Sequence, residues 1–370
     1  MSQERFKDTG TDSIFGDILY ERVVPRDHFL VKLKELIDWS RFRRKLLQWY
    51  KGQGQNGRPP YDPVIILRML LISFLYNLSE RQTEEATNLN LAIKYFVGLA
   101  VDQLAPDHSE LTVFKKRLRQ NGHLAAFQEM FDEIIAIALE KGVEFGKVQV
   151  LDSVHTIANV NVQKDEKRQE QGKGPRDPGA RWGVKRTRKV RDEKGNVQEQ
   201  KEYFYGYKTH VSINAQSRLV TSLDFSSGEA YDGHFLPSLV EKDLAKGLPV
   251  ETVTGDRAYD DGDNHVFLWS KGIFSAIRLN DYRTEKKDPN KQVWLDLKAD
   301  PRYQAGLKER YKVEPKFGEG KTGHGLARCR YIGLVKYAIQ SYLTAMVLNL
   351  KRLVRILTGV AFKGRATAQG

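Results

Sequence analysis

A mixed α/β domain preceded by an all-α one is what this chain of 370 residues predicts, on three observations. Residues 27–142 carry helical punctuation and helical apolar spacing. From residue 147 the period becomes that of β-strands. Strand pairs then give way to alternating helix and strand, the order of a mixed sheet with flanking helices. The expected boundaries are a helical domain over residues 1–142 and an α/β domain over 143–362, with a basic insertion at about 164–202.

In the helical part, "SERQ" at 79–82 is a capping box, in which Ser and Gln side chains satisfy each other's backbone N–H groups. Phe127, Phe131, Ile134, Ile135 and Ala138 form one apolar helix face. "DHSELTVFKKRLRQ" offers Asp107 or Ser109 as N-cap of a helix carrying Lys115, Lys116, Arg117 and Arg119 towards its end. Those cations suit either a helix C-terminus facing solvent or a helix that touches DNA.

The first strand is expected in "KVQVLDSVHTIANVNV", residues 147–162, where the six Val and Ile residues Val148, Val150, Val154, Ile157, Val160 and Val162 surround a single Asp152. "EYFYGYKTHVSINAQSRLVTSLDFSSG" reads as a hairpin turning at Asn214–Ser217. A helix over about 234–246, a short strand "ETVTGD" ending in Asp256, a helix near 261–271 and a strand "IFSAIRL" should follow. The chain closes on a helix with Ile339, Leu343, Met346, Leu350, Leu353 and Leu357 in one core-facing stripe.

Sixty Lys and Arg against 47 Asp and Glu give a net charge of +13, which favours a polyanionic partner, nucleic acid above all. Cys329 is the single cysteine, so an intrachain disulfide is excluded and a reducing compartment is expected. The N-terminus lacks the apolar core of a signal peptide, and "VIILRMLLISFLY" is too short for a membrane span and contains Arg68. The expectation is a cytoplasmic protein associated with the nucleoid and not with a membrane. Neither a Cys/His ligand cluster nor a GxxxxGK[ST] run occurs, so a zinc site and a phosphate-binding P-loop are unsupported.

The insertion has little apolar content and carries six basic residues and no acidic one from Arg181 to Arg191. It reads as a solvated loop whose cations, Lys185, Arg186, Arg188 and Lys189 among them, suit DNA phosphates, with Trp182 available to stack on an unpaired base. Asp152 on its strand is ordinary when taken alone, but clustered carboxylates are costly unless they bind metal. Asp256 ends a strand, where open α/β sheets place their sites. Asp260, Asp261 and Asp263 follow it too closely to be told apart by composition, and each suits a helix cap. Glu309, Glu314 and Glu319 qualify equally as a third acid on spacing.

The blocks "RPPYDPVIILRMLLISFLYNLSERQTEEATNLNLAIKYFVGL", "PDHSELTVFKKRL", "VLDSVHTIAN", "DPGARWG", "YGYKTHVSIN", "GDRAYDD" and "RYKVEPKFGEGKTGHGLARCRYIGLVKYAIQSYLTAMVLNLKRL" occur in this order. Their succession resembles the DDE-type insertion-sequence transposases, which carry a helical N-terminal domain and a ribonuclease-H-like catalytic domain. The resemblance implies that Asp152, Asp256 and Glu314 are the catalytic metal ligands. Glu314 is chosen because Arg310, Glu314 and Lys321 match an Arg-x3-Glu-x6-Lys signature of related transposases; the Tyr expected before the Arg is Leu307 here. His155 stands where a smaller or apolar residue is common and is assigned no catalytic role. The implied cofactor is Mg²⁺, with Mn²⁺ able to substitute.

Two such ions, roughly 3.5–4 Å apart, activate the attacking oxygen and stabilise the leaving oxygen of a phosphodiester. Hard oxygen ligands suit Mg²⁺, and the ions reverse the sign that an acidic trio would otherwise present to DNA. The implied partners are double-stranded DNA, as terminal inverted repeats and target, and a second copy of the chain on paired ends. Lys208 and His210 alternate on one strand face and so could reach phosphate, as could Arg310, Lys321, Arg328 and Arg330. His234 after Asp232 reads as a helix-start residue. A non-catalytic DNA-binding relic and a plain metal-dependent nuclease on the same fold are the rivals. The first would lack metal-dependent cleavage and the second strand transfer.

Overall fold

The computed structural model describes residues 6–7, 14–49, 59–122, 124–191, 197–285 and 288–364. They form two compact units, one of residues 1–143 with 342–370 and one of residues 144–341. The last helix, Leu334–Thr358, contributes its residues through Ser341 to the second unit and from Tyr342 to the first, whereas the sequence placed all of it in the α/β part.

The first unit is helical between Ile14 and Glu140 among the described residues. Its central helix, Pro63–Leu75, is apolar all round because nearly every residue of it is buried; Asp62 caps it by accepting from the Val64 N–H at 2.9 Å. Arg68 interrupts that run by laying its guanidinium over the Trp39 ring, 4.6 Å from the centroid, and burial lowers its pKa to about 10. Among the described residues no single helix is long and apolar enough to cross a membrane; Pro63–Leu75 with Glu80–Leu89 passes such a test only as a pair bent by 106°. The expected capping box of Ser79 and Gln82 is formed, and Phe127, Phe131, Ile134, Ile135 and Ala138 are all buried. Leu343, Met346, Leu350 and Leu353 of the last helix are buried too, and Tyr342 meets Phe131 with ring centroids 6.0 Å apart.

The second unit is built on six strands: β1 (Val148–Ile157), β2 (Arg181–Arg191), β3 (Val197–Asn214), β4 (Val220–Ser227), β5 (Thr252–Thr254) and β6 (Phe274–Ser275). β4, β3 and β1 lie side by side and antiparallel, and β5 and β6 continue from β1 in parallel. Three antiparallel strands joined through the first to two parallel ones, with helices between, make a ribonuclease-H-like fold. Only glycine fits at Gly206 of β3, where a Cβ would stand 2.0 Å from the Thr156 carbonyl of β1. The hairpin tip lies where expected: Asn214 Oδ1 accepts from the Ser217 N–H at 3.0 Å, and β4 then returns along β3.

Two sequence expectations are corrected here. β1 stops at Ile157, and Val160 and Val162 lie outside it because Asn161 caps a helix over Val162–Glu170. The basic insertion is not a loop: after that helix the chain forms β2, which pairs with the first half of the 18-residue β3 as a hairpin arm. Cross-strand pairs explain it. Trp182 opposes Tyr205, Val184 opposes Tyr203, and Arg186 and Lys189 oppose Glu202 and Glu199, so the basic strand has an acidic and aromatic partner.

Candidate active site

Strand pairing brings the first two predicted acids together. β1 and β5 are parallel neighbours with Val150 opposite Thr254, so Asp152 and Asp256, each two residues further on, emerge at adjacent positions of the sheet. Burial raises the pKa of Asp152 to about 7, helped by the negative charges of Asp256 and Asp232 and opposed by a hydrogen bond from the Ser153 N–H and by Arg310. Asp256 is raised as well, by burial first and by Asp232. One of its oxygens is engaged locally: Oδ1 accepts from the Ala258 N–H at 2.9 Å and caps the 3-10 turn Arg257–Tyr259.

Asp232 is a third acid, one that sequence reasoning missed. It starts the turn leading into the helix Leu236–Ala245, accepts from Ser153 Oγ at 2.8 Å, and pairs with Lys208 Nζ at 2.8 Å. Nothing in "AYDGH" signals this, because the contact joins residues 79 apart through the fold. Tyr259, likewise unpredicted, is fully buried, and its hydroxyl has no partner among the described residues.

Glu314 stands in the first turn of the helix Val313–Gly323, which packs on β1. It is exposed, and among the described residues no hydrogen bond or ion pair engages it. Glu309 is bound to Lys312 and Glu319 to Lys316, each three residues away. Arg310, four residues before Glu314, acts on both Asp152 and Asp256. Leu307 occupies the signature's tyrosine position as part of a small core with Trp294, Leu297 and Tyr303.

A basic border lies beside the acids. His155 pairs across the sheet with Lys208, its ring lies tilted at 38° against Phe204 with centroids 4.8 Å apart, and its Nε2 lies 3.4 Å from Lys321 Nζ. Burial and the charges of Lys321 and Lys185 lower its pKa to about 4, so it is neutral at physiological pH. Lys321 is itself lowered by burial and by Lys185. Lys185 is paired with Glu202 at 2.5 Å, and a phosphate beside Lys321 would relieve the charge that bears on it.

Two predicted DNA contacts are corrected. His210 is fully buried, stacked on Phe235 at 3.7 Å, with Nε2 at 2.8 Å from Ser226 Oγ. Lys115 is buried against Glu80 in the helical unit, while its neighbour Lys116 is exposed. Lys185, Arg186 and Arg188 are exposed on β2, and Lys189 lies in that strand, its side chain outside the described residues. Arg328, exposed, and Arg330, half-buried, lie near Ile157 at the end of β1.

Hard carboxylate oxygens whose protons are held by burial and by one another's charge fit a divalent cation, which would take the proton's place. Asp152, Asp256 and Glu314 do not close on a single point, however. The described residues do bring three ligand atoms within 4.8 Å at Glu84, Asp107 and His108, but in the helical unit. There Glu84 accepts from both the His108 N–H and its ring at 2.9 Å, and Asp107 accepts from the Ser109 N–H, contacts that fasten a helix start.

Residues 18–117 match the family described as a transposase domain (DUF772), and residues 174–350 match the transposase DDE domain; together they span about three quarters of the chain. Among solved structures, the chain is similar at 8% identity to the piggyBac transposase synaptic complex with hairpin DNA, with 96% of this chain and 78% of that one covered at a TM-score of 0.39. For the Mos1 transposase paired-end complex with the left transposon end the figures are 10%, 74%, 83% and 0.20. Likenesses this distant carry no argument about chemistry; the two domain matches do.

Proposed function

This chain belongs to the DDE-type insertion-sequence transposases, and from that premise we propose that Asp152, Asp256 and Glu314 are the residues with which it cuts and joins DNA. It is a DNA transposase, and transposase DDE domains break and re-form phosphodiesters with divalent metal ions. Mg²⁺ is the proposed ion, with Mn²⁺ as substitute; bound, it would activate the attacking oxygen and stabilise the leaving one.

The observation that carries the assignment is the meeting of Asp152 and Asp256 at the ends of neighbouring strands, each with its carboxyl pKa raised. Glu314 is supported as third ligand because Glu309 and Glu319 are each occupied by a lysine. Arg310 restrains the repulsion between the two aspartates. Lys321 and Lys185 receive the phosphate backbone beside them, whereas Lys208 is committed to Asp232 and orients the site. Arg186 and Arg188 extend the basic path along the hairpin arm. The DNA is double-stranded, the element's terminal repeats and then the target, held by a homodimer on paired ends, and the protein resides on the nucleoid.

The test compares Asp152→Asn, Asp256→Asn and Glu314→Gln with Glu309→Gln and Glu319→Gln on DNA carrying the element's ends. The first three should bind DNA and lose Mg²⁺-dependent cleavage. The last two should cleave within about tenfold of the parent, roughly 1.4 kcal/mol in barrier height. An inactive Glu319→Gln beside an active Glu314→Gln would displace the third ligand.

A further inference from the structure

Tyr259 ends the 3-10 turn that Asp256 caps, and the turn folds its ring back onto Gly255, where a Cβ would stand 2.9 Å from Cδ2. Its backbone is fully used: N–H donates to the Asp256 carbonyl at 3.1 Å, and its carbonyl accepts from Asn264 Nδ2 at 3.1 Å and from the Asp261 N–H at 2.9 Å. The side chain is fully buried, yet Oη has no hydrogen-bond partner among the described residues. The charges acting on this hydroxyl are those of Asp152, Asp232, Asp256 and Arg310, the centre of the candidate site. Burial above all, and then the carboxylates, keeps it protonated and therefore able to donate. A buried hydroxyl without a partner is destabilising, and phenylalanine would fill the same space without that penalty.

We propose that Tyr259 is a positioning residue whose hydroxyl donates a hydrogen bond to the oxygen ligands of the metal-bound site, fixing the carboxylates of Asp152 and Asp256 around the ion. The proposal rests on reading those two aspartates as metal ligands. It turns an unfavourable feature of the metal-free protein into an interaction completed on binding. The hydroxyl therefore has opposite effects in the two states, which a purely structural tyrosine would not show.

Full-length Tyr259→Phe is the test, with Asp152→Asn beside it. Mn²⁺ binding without DNA is measured by titration calorimetry, and thermal unfolding is followed in EDTA. Tyr259→Phe should unfold in EDTA at or above the parent's temperature, and its Mn²⁺ dissociation constant should rise about tenfold, as expected for loss of a hydrogen bond to a charged group. Unchanged Mn²⁺ affinity in Tyr259→Phe, with weakened affinity in Asp152→Asn, overturns the role of the hydroxyl and leaves the metal site standing. Unchanged affinity in both variants means that the site assignment itself is wrong. A Tyr259→Phe protein that unfolds several degrees below the parent in EDTA shows that the hydroxyl supports the metal-free fold, and the proposal falls.

Discussion

Asp152 holds its proton up to about pH 7, where an unfolded chain releases it near 3.8. Between those values the folded state binds more protons than the unfolded one, so this group's contribution to stability is full below the unfolded pKa and disappears as pH rises through 7. In EDTA, Asp152→Asn should therefore raise the unfolding temperature relative to the parent at pH 8, with the difference shrinking towards pH 4. A pH-independent difference in thermal melts would refute this linkage. The carboxylate itself was legible in the sequence, since one acid among six Val and Ile residues calls for a reason. Asp232, whose charge acts on it, and Tyr259, on whose hydroxyl its own charge acts, were not, because each lies at a turn whose direction only the assembled sheet determines. His210 shows the converse: strand alternation set it beside Lys208, but periodicity does not say that Phe235 covers it.

At the level of elements, the register of β1 against β5 explains why two short segments about a hundred residues apart bring Asp152 and Asp256 to adjacent positions of the sheet. The hairpin arm is the element that the sequence obscured. A composition of charge and little else reads as disorder when each strand is taken alone, whereas β2 and β3 are complementary in sign and interlock Trp182 and Val184 with Tyr205 and Tyr203. Trp182 and Tyr203 remain 50% and 56% exposed, so the arm keeps apolar surface beside its cations. Replacing Arg186 and Arg188 together by Gln should weaken DNA binding and flatten its dependence on log salt by about 0.9 for each phosphate no longer neutralised. Binding titrations from low to moderate salt measure both, and an unaltered slope removes the arm from the DNA path.

For the whole molecule, residues 144–341 are in effect inserted into a helical unit whose parts come from both ends of the chain. The helical periods of both parts were plain in the sequence, but not that they belong to one core, since apolar stripes do not name their partners. Leu350 is buried in that core, so Leu350→Ala should cost ~2–5 kcal/mol by urea unfolding, and the destabilisation should appear in the helical unit. Phe362, near the end of the chain, makes edge contacts with Phe29 and Tyr76, each at 5.1 Å. During synthesis the first 143 residues leave the ribosome long before the segment that completes their core. At about 5–20 residues per second the intervening stretch takes roughly 10–40 s to make. The unit of residues 144–341 is thus free to fold while the earlier-made helices still wait. An early stop codon just past that unit would leave the acids of the site intact and strand the first-made part of the protein unfinished.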